Sequence, residues 1–364
     1  MRITELQLMN FRNYTSLRLE PDEGLCVLTG NNAAGKTNIL ESIFLCALGR
    51  SHRTTRDAEL IREGEQAGMV SLTMQTRGGT RTISCRLMQG ERKRIRIDGA
   101  ALTRSGELMG CLNTVLFAPE DLMLVKGGPG ERRRFLDMEI SQIKPEYYYT
   151  LQRYNEALKQ RNALLKEEYL DMEQMDAWEE QLSYLGARIT VERAAFLEKL
   201  TGIAGQVHLK LSDGKETLVL AYSRNLTGED EEDIAVSARD RLRDSRERDM
   251  YRGSTTTGPH RDDIVMDLDG SDVRVYGSQG QQRTVVLSLK LSELEIMRQL
   301  RGEPPVLLLD DVFSELDRRR QQMLLRAVGD CQTFITCTHL EELTAAGVDR
   351  MQVYRVEKGQ VTEL

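Results

Sequence analysis

The chain has 364 residues, of which 40 % are hydrophobic and 29 % are charged, and its formal net charge at pH 7 is −7. This composition supports a sizeable apolar core and excludes a disordered chain, and at ~150 residues per domain the length predicts two domains or one large divided domain. The mildly acidic charge, taken alone, argues against a general nucleic-acid coat protein.

The sequence also lacks the marks of a membrane, secreted or zinc-binding protein. No apolar run approaches the ~18 residues of a membrane helix, and the charged start of the chain, with Arg2 and Glu5, is unlike a signal peptide. Its six cysteines include no C-x-x-C pair, and its four histidines form no H-x-x-x-H cluster. We therefore expect a cytoplasmic protein with reduced thiols and no membrane partner.

The first 48 residues predict the order strand, strand, loop, helix. The apolar run Leu25 to Thr29 stops at Gly30, which is typical of a buried parallel strand. Apolar residues then recur at helical spacing until Gly49, which ends the helix. Residues 69–98 predict a β-meander that reaches a turn at Asp98-Gly99.

The middle of the chain has a helical pattern. Between residues 146 and 200, apolar side chains at spacings of three, four and seven predict two amphipathic helices folded back as a hairpin. Each helix is predicted to have ~25 residues and a length of ~37 Å. We expect this hairpin to pack on its own domain rather than to protrude as a coiled coil.

Basic residues occur in three bursts, at 92–96, 132–134 and 239–248. A burst of charge is usually a solvated face. The last burst alternates with acidic residues at 240, 244 and 247, and this alternation predicts ion pairs within one helix.

From residue 273 the alternation of helices and strands returns. An apolar helix leads to the strand at 306–309, which ends in Asp310-Asp311; a helix near 316–328, a strand at 333–337 and a C-terminal hairpin follow. Strands thus lie at both ends of the sequence with helices between them. We predict a nucleotide-type α/β domain that is split by a helical insertion.

The loop after the first buried strand matches the phosphate-binding pattern G-x-x-x-x-G-K-[ST]. Its residues are Gly30, Asn31, Asn32, Ala33, Ala34, Gly35, Lys36 and Thr37. The strand before it and the helix after it supply the context that this motif requires. Glycines and the helix N-terminus present N–H groups to an anion, Lys36 reaches the β- and γ-phosphates of ATP, and the Thr37 hydroxyl ligates Mg²⁺.

Two further motifs carry residue types that an ATP site needs in addition to this loop. Asp310, at the end of an apolar strand, is placed to hold Mg²⁺ through water, and Asp311 beside it is placed to orient or deprotonate an attacking water. The string Ser278-Gln279-Gly280-Gln281 precedes an apolar helix. By itself this string is also compatible with a simple helix N-cap at Ser278.

The order of these motifs resembles that of ABC-type ATPases, and the chain resembles the RecF recombination mediator family, relatives of the SMC and Rad50 ATPases. The resemblance runs essentially from end to end. It rests on NFRNY at 10–14, GNNAAGKTN at 30–38, GRSHRT at 49–54, FAPEDL at 117–122, GGPGERRRFLD at 127–137, TTTGPHRDD at 255–263, GSQGQQRT at 277–284 and LLLDDVFSELD at 307–317.

The resemblance implies an α/β fold, an ABC-type P-loop ATPase head with a mixed β-sheet and helices, plus a helical lobe that carries a short helical hairpin. Lobe I would comprise residues 1–130 and 299–364, and lobe II residues 131–298. Two heads would pair head to tail, so that Ser278, Gly280 and Gln281 of one head act on ATP bound to the other.

The same resemblance assigns further site residues. Asp311 takes the place of a catalytic glutamate and is one methylene shorter, which favours slow turnover. His339 resembles the switch histidine that contacts the γ-phosphate. Arg12 matches a Rad50 position near the phosphates. Mg²⁺ would be held by Thr37 and Asp310.

By the resemblance, the function is ATP-dependent DNA binding in recombinational repair and replication-fork maintenance. The expected partners are DNA, a second copy of the chain bound in the presence of ATP, and recombination mediator proteins. A P-loop kinase or another P-loop NTPase that does not bind DNA is the alternative, and a purely structural SMC-like protein is a third hypothesis. The signature with Ser314-Glu315-Leu316-Asp317 weighs against the kinase, and the short hairpin weighs against the structural protein.

Overall fold

The computed structural model divides the chain into two units, one made of Met1–Asp121 and Lys290–Leu364, the other of Leu122–Leu289. It describes residues 1–169, 171–345 and 350–364. Both boundaries come earlier in the chain than the predicted ones, after 130 and after 298. At the second boundary a helix at Gln279–Arg301 runs on without a break, so no turn signal marks it.

The strands are, in chain order, β1 (Arg2–Phe11), β2 (Tyr14–Leu19), β3 (Leu25–Thr29), β4 (Ala67–Thr76), β5 (Gly79–Met88), β6 (Arg94–Ile97), β7 (Ala100–Ala101), β8 (Thr114–Phe117), β9 (Leu218–Ser223), β10 (Asp263–Leu268), β11 (Ser271–Asp272), β12 (Val306–Leu309), β13 (Thr333–Cys337), β14 (Gln352–Glu357) and β15 (Gln360–Glu363).

The α-helices are α1 (Lys36–Leu48), α2 (Met123–Lys126), α3 (Pro129–Ile143), α4 (Pro145–Leu164), α5 (Met172–Leu211), α6 (Glu231–Asp244), α7 (Arg246–Arg252), α8 (Val273–Tyr276), α9 (Gln279–Arg301), α10 (Arg318–Val328) and α11 (Glu341–Ala345).

An antiparallel sheet with the strand order β2-β1-β4-β5-β6-β7 lies in the first unit. Its strands alternate between buried and more exposed residues, as in β4, where Val70, Leu72 and Met74 are buried between Met69, Ser71 and Thr73. This alternation is typical of a sheet with one face on the core and one face toward water. The β-meander predicted for residues 69–98 is present as β4, β5 and β6.

A second, mostly parallel sheet in the same unit has the order β15-β14-β3-β13-β12-β8. Strands β14, β3, β13, β12 and β8 run parallel, and β15 returns antiparallel to β14. The apolar runs of β12 and β13 are fully buried. In such a sheet, ligands bind beyond the carboxyl ends of the strands, which here are the ends at Thr29, Leu309 and Cys337.

A buried glutamine ties the two sheets together. The Gln332 side chain, just before β13, accepts a hydrogen bond from the Ile3 amide at 2.6 Å and donates to the carbonyl oxygens of Ile3, at 2.8 Å, and Asp22, at 2.7 Å. All three bonds join residues more than 300 positions apart. They fix β1 against the parallel sheet.

The second unit contains the predicted helical hairpin, formed by α4 and α5. Helix α5 has 40 residues rather than the expected ~25, because its apolar face continues past residue 200 to Ala204 and Leu211. The hairpin packs on α3, α6 and β9 within its own unit, as we predicted. Arg161 of α4 is fully buried and pairs with Glu179 at 3.0 Å and with Asp249 at 2.8 Å.

The second and third basic bursts make specific structural contacts. Arg132 is buried and forms a bidentate pair with Asp263 at 2.6 and 3.0 Å, and Arg133 donates to the Asp262 carbonyl at 2.6 Å. In the burst at 239–248, arginines pair with Asp176, Glu179 and Glu180 of α5. The expectation of pairing within one helix was wrong, because these partners lie on a neighbouring helix.

The six cysteines are free, and all but Cys111 are buried. Among the helices of the described ranges, none combines the length and the apolar character needed to cross a bilayer.

Candidate functional site

The backbone of the loop between β3 and α1 requires its glycines. Gly30 has φ +149° and Gly35 has φ +117°, a region that side chains rarely adopt. A Cβ atom at Gly30 would lie 2.2 Å from the Val356 carbonyl oxygen of β14. Helix α1 begins immediately afterwards at Lys36, so its N-terminal amides and partial positive charge belong to the loop.

Lys36 lies against this loop. Its Nζ atom donates to the carbonyl oxygens of Gly30 at 2.6 Å and Asn31 at 3.0 Å. Burial lowers the pKa of Lys36, and the negative charges of Asp311 and Asp310 oppose that shift. The ammonium group therefore sits between the phosphate loop and the two acidic residues, where it would meet the phosphates of a nucleotide.

Thr37 and Asp310 are brought together by the parallel sheet. The Thr37 hydroxyl donates to Asp310 Oδ1 at 2.9 Å, and the Thr336 hydroxyl of β13 donates to the same oxygen at 2.8 Å. Burial raises the pKa of Asp310, and these two hydrogen bonds counteract the rise. Strand β13 lies between β3 and β12 and so supplies the hydroxyl that orients the carboxylate.

This pair of groups fits Mg²⁺. Magnesium in nucleotide sites is held by a hydroxyl, by one or two carboxylates and by the phosphates themselves. Thr37 and Asp310 present one hydroxyl and one carboxylate within hydrogen-bond distance. In the part of the chain that the structure describes, no three His, Cys, Asp or Glu side chains form a metal cluster.

Asp311 follows in a constrained turn. Its φ is +51°, in the left-handed region that costs an ordinary residue about 1 kcal/mol or more. Two hydrogen bonds hold it there: its amide donates to the Thr336 hydroxyl at 2.9 Å, and its carbonyl accepts from Ser314 at 2.8 Å. The residue is exposed. His339 is also exposed and lies just after β13.

The NFRNY segment supports the phosphate loop, a role that the sequence did not reveal. Asn13 donates to the Ala34 carbonyl at 2.8 Å and accepts from Asn38 at 2.8 Å. The buried Tyr14 hydroxyl donates to the Gly35 carbonyl at 2.9 Å. These side chains fix the two loop residues that precede Lys36.

Arg12 contacts a carboxylate of α1. Its guanidinium forms a bidentate pair with Glu41 at 2.7 and 2.8 Å and donates to the Glu59 carbonyl at 2.8 Å. Ser51 of the GRSHRT stretch donates to Glu41 at 2.5 Å. Burial raises the pKa of Glu41, but the hydrogen bonds from Arg12 and Ser51 outweigh it and leave the pKa below its usual range. A contact of Arg12 with nucleotide stays a prediction.

Glu41 was missed from the sequence because it lies within an otherwise apolar helix pattern. A carboxylate among Leu40, Ser42 and Ile43 is a signal that could have been followed, since a buried acidic residue requires a cationic partner. That partner is 29 positions away, which no local pattern indicates.

The serine–glycine–glutamine signature lies in the second unit, at the start of α9. The Ser278 hydroxyl accepts from the Gln281 amide at 3.2 Å, and the Gln281 side chain accepts from the Ser278 amide at 2.8 Å. This is a reciprocal capping box. Ser278 and Gly280 are exposed, and because the serine oxygen serves as the acceptor in the cap, its O–H remains a donor for a ligand.

A chain of polar side chains continues from Gln281 into the interior. Gln281 donates to Glu216 at 2.9 Å, and the other oxygen of Glu216 lies 3.2 Å from His208 Nε2. His208 is fully buried, with Nδ1 3.0 Å from the Ser288 hydroxyl of α9. Glu216 and His208 therefore orient the signature glutamine.

Comparison with known proteins gives a consistent result. The profile of the family described as RecF/RecN/SMC N terminal domain matches residues 2–362. The chain is 43 % identical over 364 residues to DNA replication and repair protein RecF of Alkaliphilus oremlandii, with 99 % of this chain and 100 % of that protein covered. The protein of the same name from Clostridium acetobutylicum is 41 % identical over 364 residues, with both chains covered completely.

Comparison with solved structures gives the same family as comparison of sequences. The recombination mediator protein RecF with ATP, described as part of the RecFOR pathway, matches with a TM-score of 0.94 at 37 % identity, over 100 % of this chain and 97 % of that chain. An Smc head domain of Pyrococcus furiosus matches with a TM-score of 0.58 at 17 % identity, over 100 % of this chain and 96 % of that chain, which shows the fold alone. The predicted ABC-type ATPase head is confirmed. The chain therefore belongs to the RecF/RecN/SMC N-terminal domain family and, within it, to the RecF proteins.

Proposed function

We propose that this chain is an ATP-gated DNA-binding protein of recombinational repair and replication-fork maintenance. ATP closes a head-to-tail dimer on gapped, single-stranded or duplex DNA, and slow hydrolysis releases it. The observation that carries the proposal is the Thr37–Asp310 hydrogen bond of 2.9 Å, which joins the phosphate loop to the acidic strand end. The names of the relatives support the assignment to DNA replication and repair.

Each site residue has a role in this proposal. The loop from Gly30 to Thr37 cradles the phosphates, and the Lys36 ammonium neutralises charge on the β- and γ-phosphates. Thr37 and Asp310 hold Mg²⁺, which supplies further neutralisation of phosphate charge when bound. Asp311 accepts a proton from water as the water oxygen bonds to the γ-phosphorus and the bridging P–O bond breaks, leaving ADP and phosphate.

The remaining contacts come from the signature and from the strand end. The Ser278 hydroxyl of the second copy, with the Gly280 and Gln281 backbone, closes over the γ-phosphate, and His339 contacts the same phosphate from the copy that binds ATP. Asp311 is one methylene shorter than a glutamate, so its carboxylate is farther from an attacking water. The ATPase is therefore slow and rises when DNA stabilises the closed dimer.

The partners follow from the relatives. One solved relative is described as a recombination mediator in the RecFOR pathway, which supports mediator proteins as partners, with recombinase loading and SOS induction as the outcome. The six free cysteines fit a reducing cytoplasm.

The test is the molecular mass in solution with ATP and with ADP, together with DNA binding. Wild type is expected to dimerise with ATP only. Lys36→Met should abolish nucleotide-dependent DNA binding, whereas Ser278→Arg should retain ATP binding but lose dimerisation and hydrolysis. Lys159→Met, at an exposed lysine of α4, is the matched control and should behave as wild type.

Absence of an ATP-dependent dimer at every concentration would contradict the proposal. Phosphate transfer to an added metabolite by a chain that stays monomeric would instead support a P-loop kinase.

A further inference from the structure

The outer face of the antiparallel sheet carries an unusual arrangement of charge. We define this outer face by the side chains that alternate with the buried ones on β2, β1, β4, β5 and β6. Two rows of residues cross it in register. One row is Ser16, Met9, Met69, Arg86 and Arg94; the other is Arg18, Gln7, Ser71, Ser84 and Arg96.

Three arginines cluster at the β5–β6 end of these rows. Arg86 and Arg94 are direct cross-strand partners, and Arg96 follows two residues after Arg94 on the same face. All three are exposed. Like charges directly opposite each other on adjacent strands destabilise a sheet, and side chains at such positions are only about 5 Å apart at Cβ. The arrangement thus has a folding cost that an anionic ligand would remove.

Few carboxylates offset this charge. The hairpin from 86 to 96 has Arg86, Arg92, Lys93, Arg94 and Arg96 but only Glu91 as an acid. Glu91 pairs with Arg94 at 3.0 Å, and Lys93 pairs with Asp57 at 2.8 Å. The two rows of the outer face contain no acidic residue. In a chain with a net charge of −7, this is a local cationic surface.

The rest of the outer face suits a nucleic-acid backbone. Between the arginine cluster and Arg18 the second row presents Ser84 and Ser71, whose hydroxyls are short neutral donors for phosphate oxygens. Toward β2 the charge is offset: Gln7 donates to Glu5 at 2.9 Å, and Arg18 pairs with Glu5 at 2.6 Å and with Glu20 at 2.9 Å. At the β2 side the face forms an open hollow of about 660 Å³, walled by residues 359–362 of the β14–β15 hairpin. A polyanion can therefore lie across the row positions of β4, β5 and β6 without meeting a carboxylate in either row.

The residue types on the outer face indicate which form of DNA it suits. Sites for single strands stack bases on aromatic side chains, and neither row includes an aromatic residue. Arginine and hydroxyl donors on a flat sheet contact phosphates and fix position without reading bases. We infer that the outer face, centred on Arg86, Arg94 and Arg96, binds the phosphate backbone of duplex DNA. This inference rests on the proposed function and assigns the surface that carries it.

The experiment is a salt titration of binding to duplex DNA and, separately, to single-stranded DNA, measured by fluorescence anisotropy in the presence of ATP and Mg²⁺. Each phosphate contact contributes about 0.9 to the slope of log K against log salt. The triple variant Arg86→Gln, Arg94→Gln, Arg96→Gln should lower that slope by up to ~2.7 and weaken binding roughly tenfold or more at physiological salt. Its ATP binding and ATP-dependent mass should match wild type, because none of the three contacts the phosphate loop.

The control removes the same charge from α6 and α7. The variant Arg239→Gln, Arg243→Gln, Arg248→Gln deletes arginines that already contact Glu180, Asp176 and Thr256, and should retain the wild-type slope. A wild-type slope in the first variant, or a loss seen only in the control, overturns the surface assignment. A loss confined to single-stranded DNA overturns the duplex assignment. Failure of wild type to bind any DNA overturns the proposed function itself.

Discussion

At the residue scale, Arg12 shows how a motif position acquires its role from a distant partner. It has φ +52°, and its side chain is held by Glu41 and by the Glu59 carbonyl. Glu41 is fully buried on α1, the helix that begins at Lys36. The pair therefore sets the position of the helix whose N-terminus forms part of the phosphate site.

We predict that Arg12→Ala lowers the free energy of unfolding by about 3 kcal/mol, since removing one partner leaves a buried carboxylate without its main counter-charge. The measurement is urea unfolding at pH 7. Arg18→Ala, which removes a largely exposed arginine from β2, is the control and should change the free energy by less than about 1 kcal/mol.

The pH dependence of this effect has a definite sign. The pKa of Glu41 is lowered in the folded chain, so its pairing stabilises the fold fully above the unfolded pKa of about 4.3 and the stabilisation is lost as pH falls through the lowered value. The difference in free energy of unfolding between wild type and Arg12→Ala should therefore be largest near neutral pH and should disappear in acid. A difference in free energy of unfolding that does not change with pH would show that the Arg12–Glu41 ion pair is not the cause of the destabilisation.

At the scale of elements, the start of α9 is held by a neighbouring segment. Gln281 is part of the capping box and also donates to Glu216, which in turn contacts His208 of α5. One end of the signature is thereby attached to a buried side chain. Glu216 is a positioning residue in this arrangement.

We predict that Glu216→Ala lowers kcat for ATP at least several-fold while leaving the affinity of the monomer for ATP unchanged. The physical reason is that Gln281 loses its acceptor, so that in the proposed dimer the signature of one copy no longer meets the ATP of the other in a fixed geometry. Steady-state ATPase kinetics and ATP titration measure the two quantities separately.

The conservative variant Glu216→Gln should recover most of the activity, because its amide oxygen still accepts from Gln281. Glu198→Ala, at an exposed position of α5, is the control for loss of a carboxylate. Equal losses in Glu216→Ala and Glu216→Gln, or a matching loss of monomer ATP affinity, would contradict the positioning role.

At the scale of the whole molecule, burial controls the chemistry of the thiols. Five of the six cysteines are buried, on both sheets and on α1 among other sites, and Cys111 is partly exposed. Burial raises the pKa of five of these thiols, for Cys85 to about 12; the five are Cys26, Cys46, Cys85, Cys111 and Cys331. Thiolate is the reactive form, so a raised pKa makes a thiol unreactive at neutral pH.

We predict that a thiol-specific chromogenic disulfide reagent labels at most one cysteine promptly in the native chain at pH 7, and six in denaturant. The labelled residue should be Cys111, and Cys111→Ser should abolish the fast phase. Rapid labelling of several thiols without denaturant would contradict the core described above.

The net charge of the whole chain does not by itself decide whether the protein can bind nucleic acid. A total of −7 argued against nucleic acid as a partner, yet the arginines of β5 and β6 are concentrated on one face. A binding surface depends on the local field rather than on the sum over the chain. The register of the sheet therefore decides which arginines lie side by side on that face.

The sequence alone determined the phosphate loop, the acidic strand end, the signature and the family, because these depend on residue types at short, fixed spacing. It also indicated the helical hairpin and the strands at both ends, because hydrophobic periodicity is local. The length of α5 and the partners of the arginines at 239–248 could not be predicted from the sequence.

Only the tertiary structure decided which distant side chains meet. The contacts of Thr37 with Asp310 and of Arg12 with Glu41 join residues that are 273 and 29 positions apart, and the cross-strand pairing of Arg86 with Arg94 depends on sheet register. Strand order and register are set by the packing of the whole core, which no window of sequence contains.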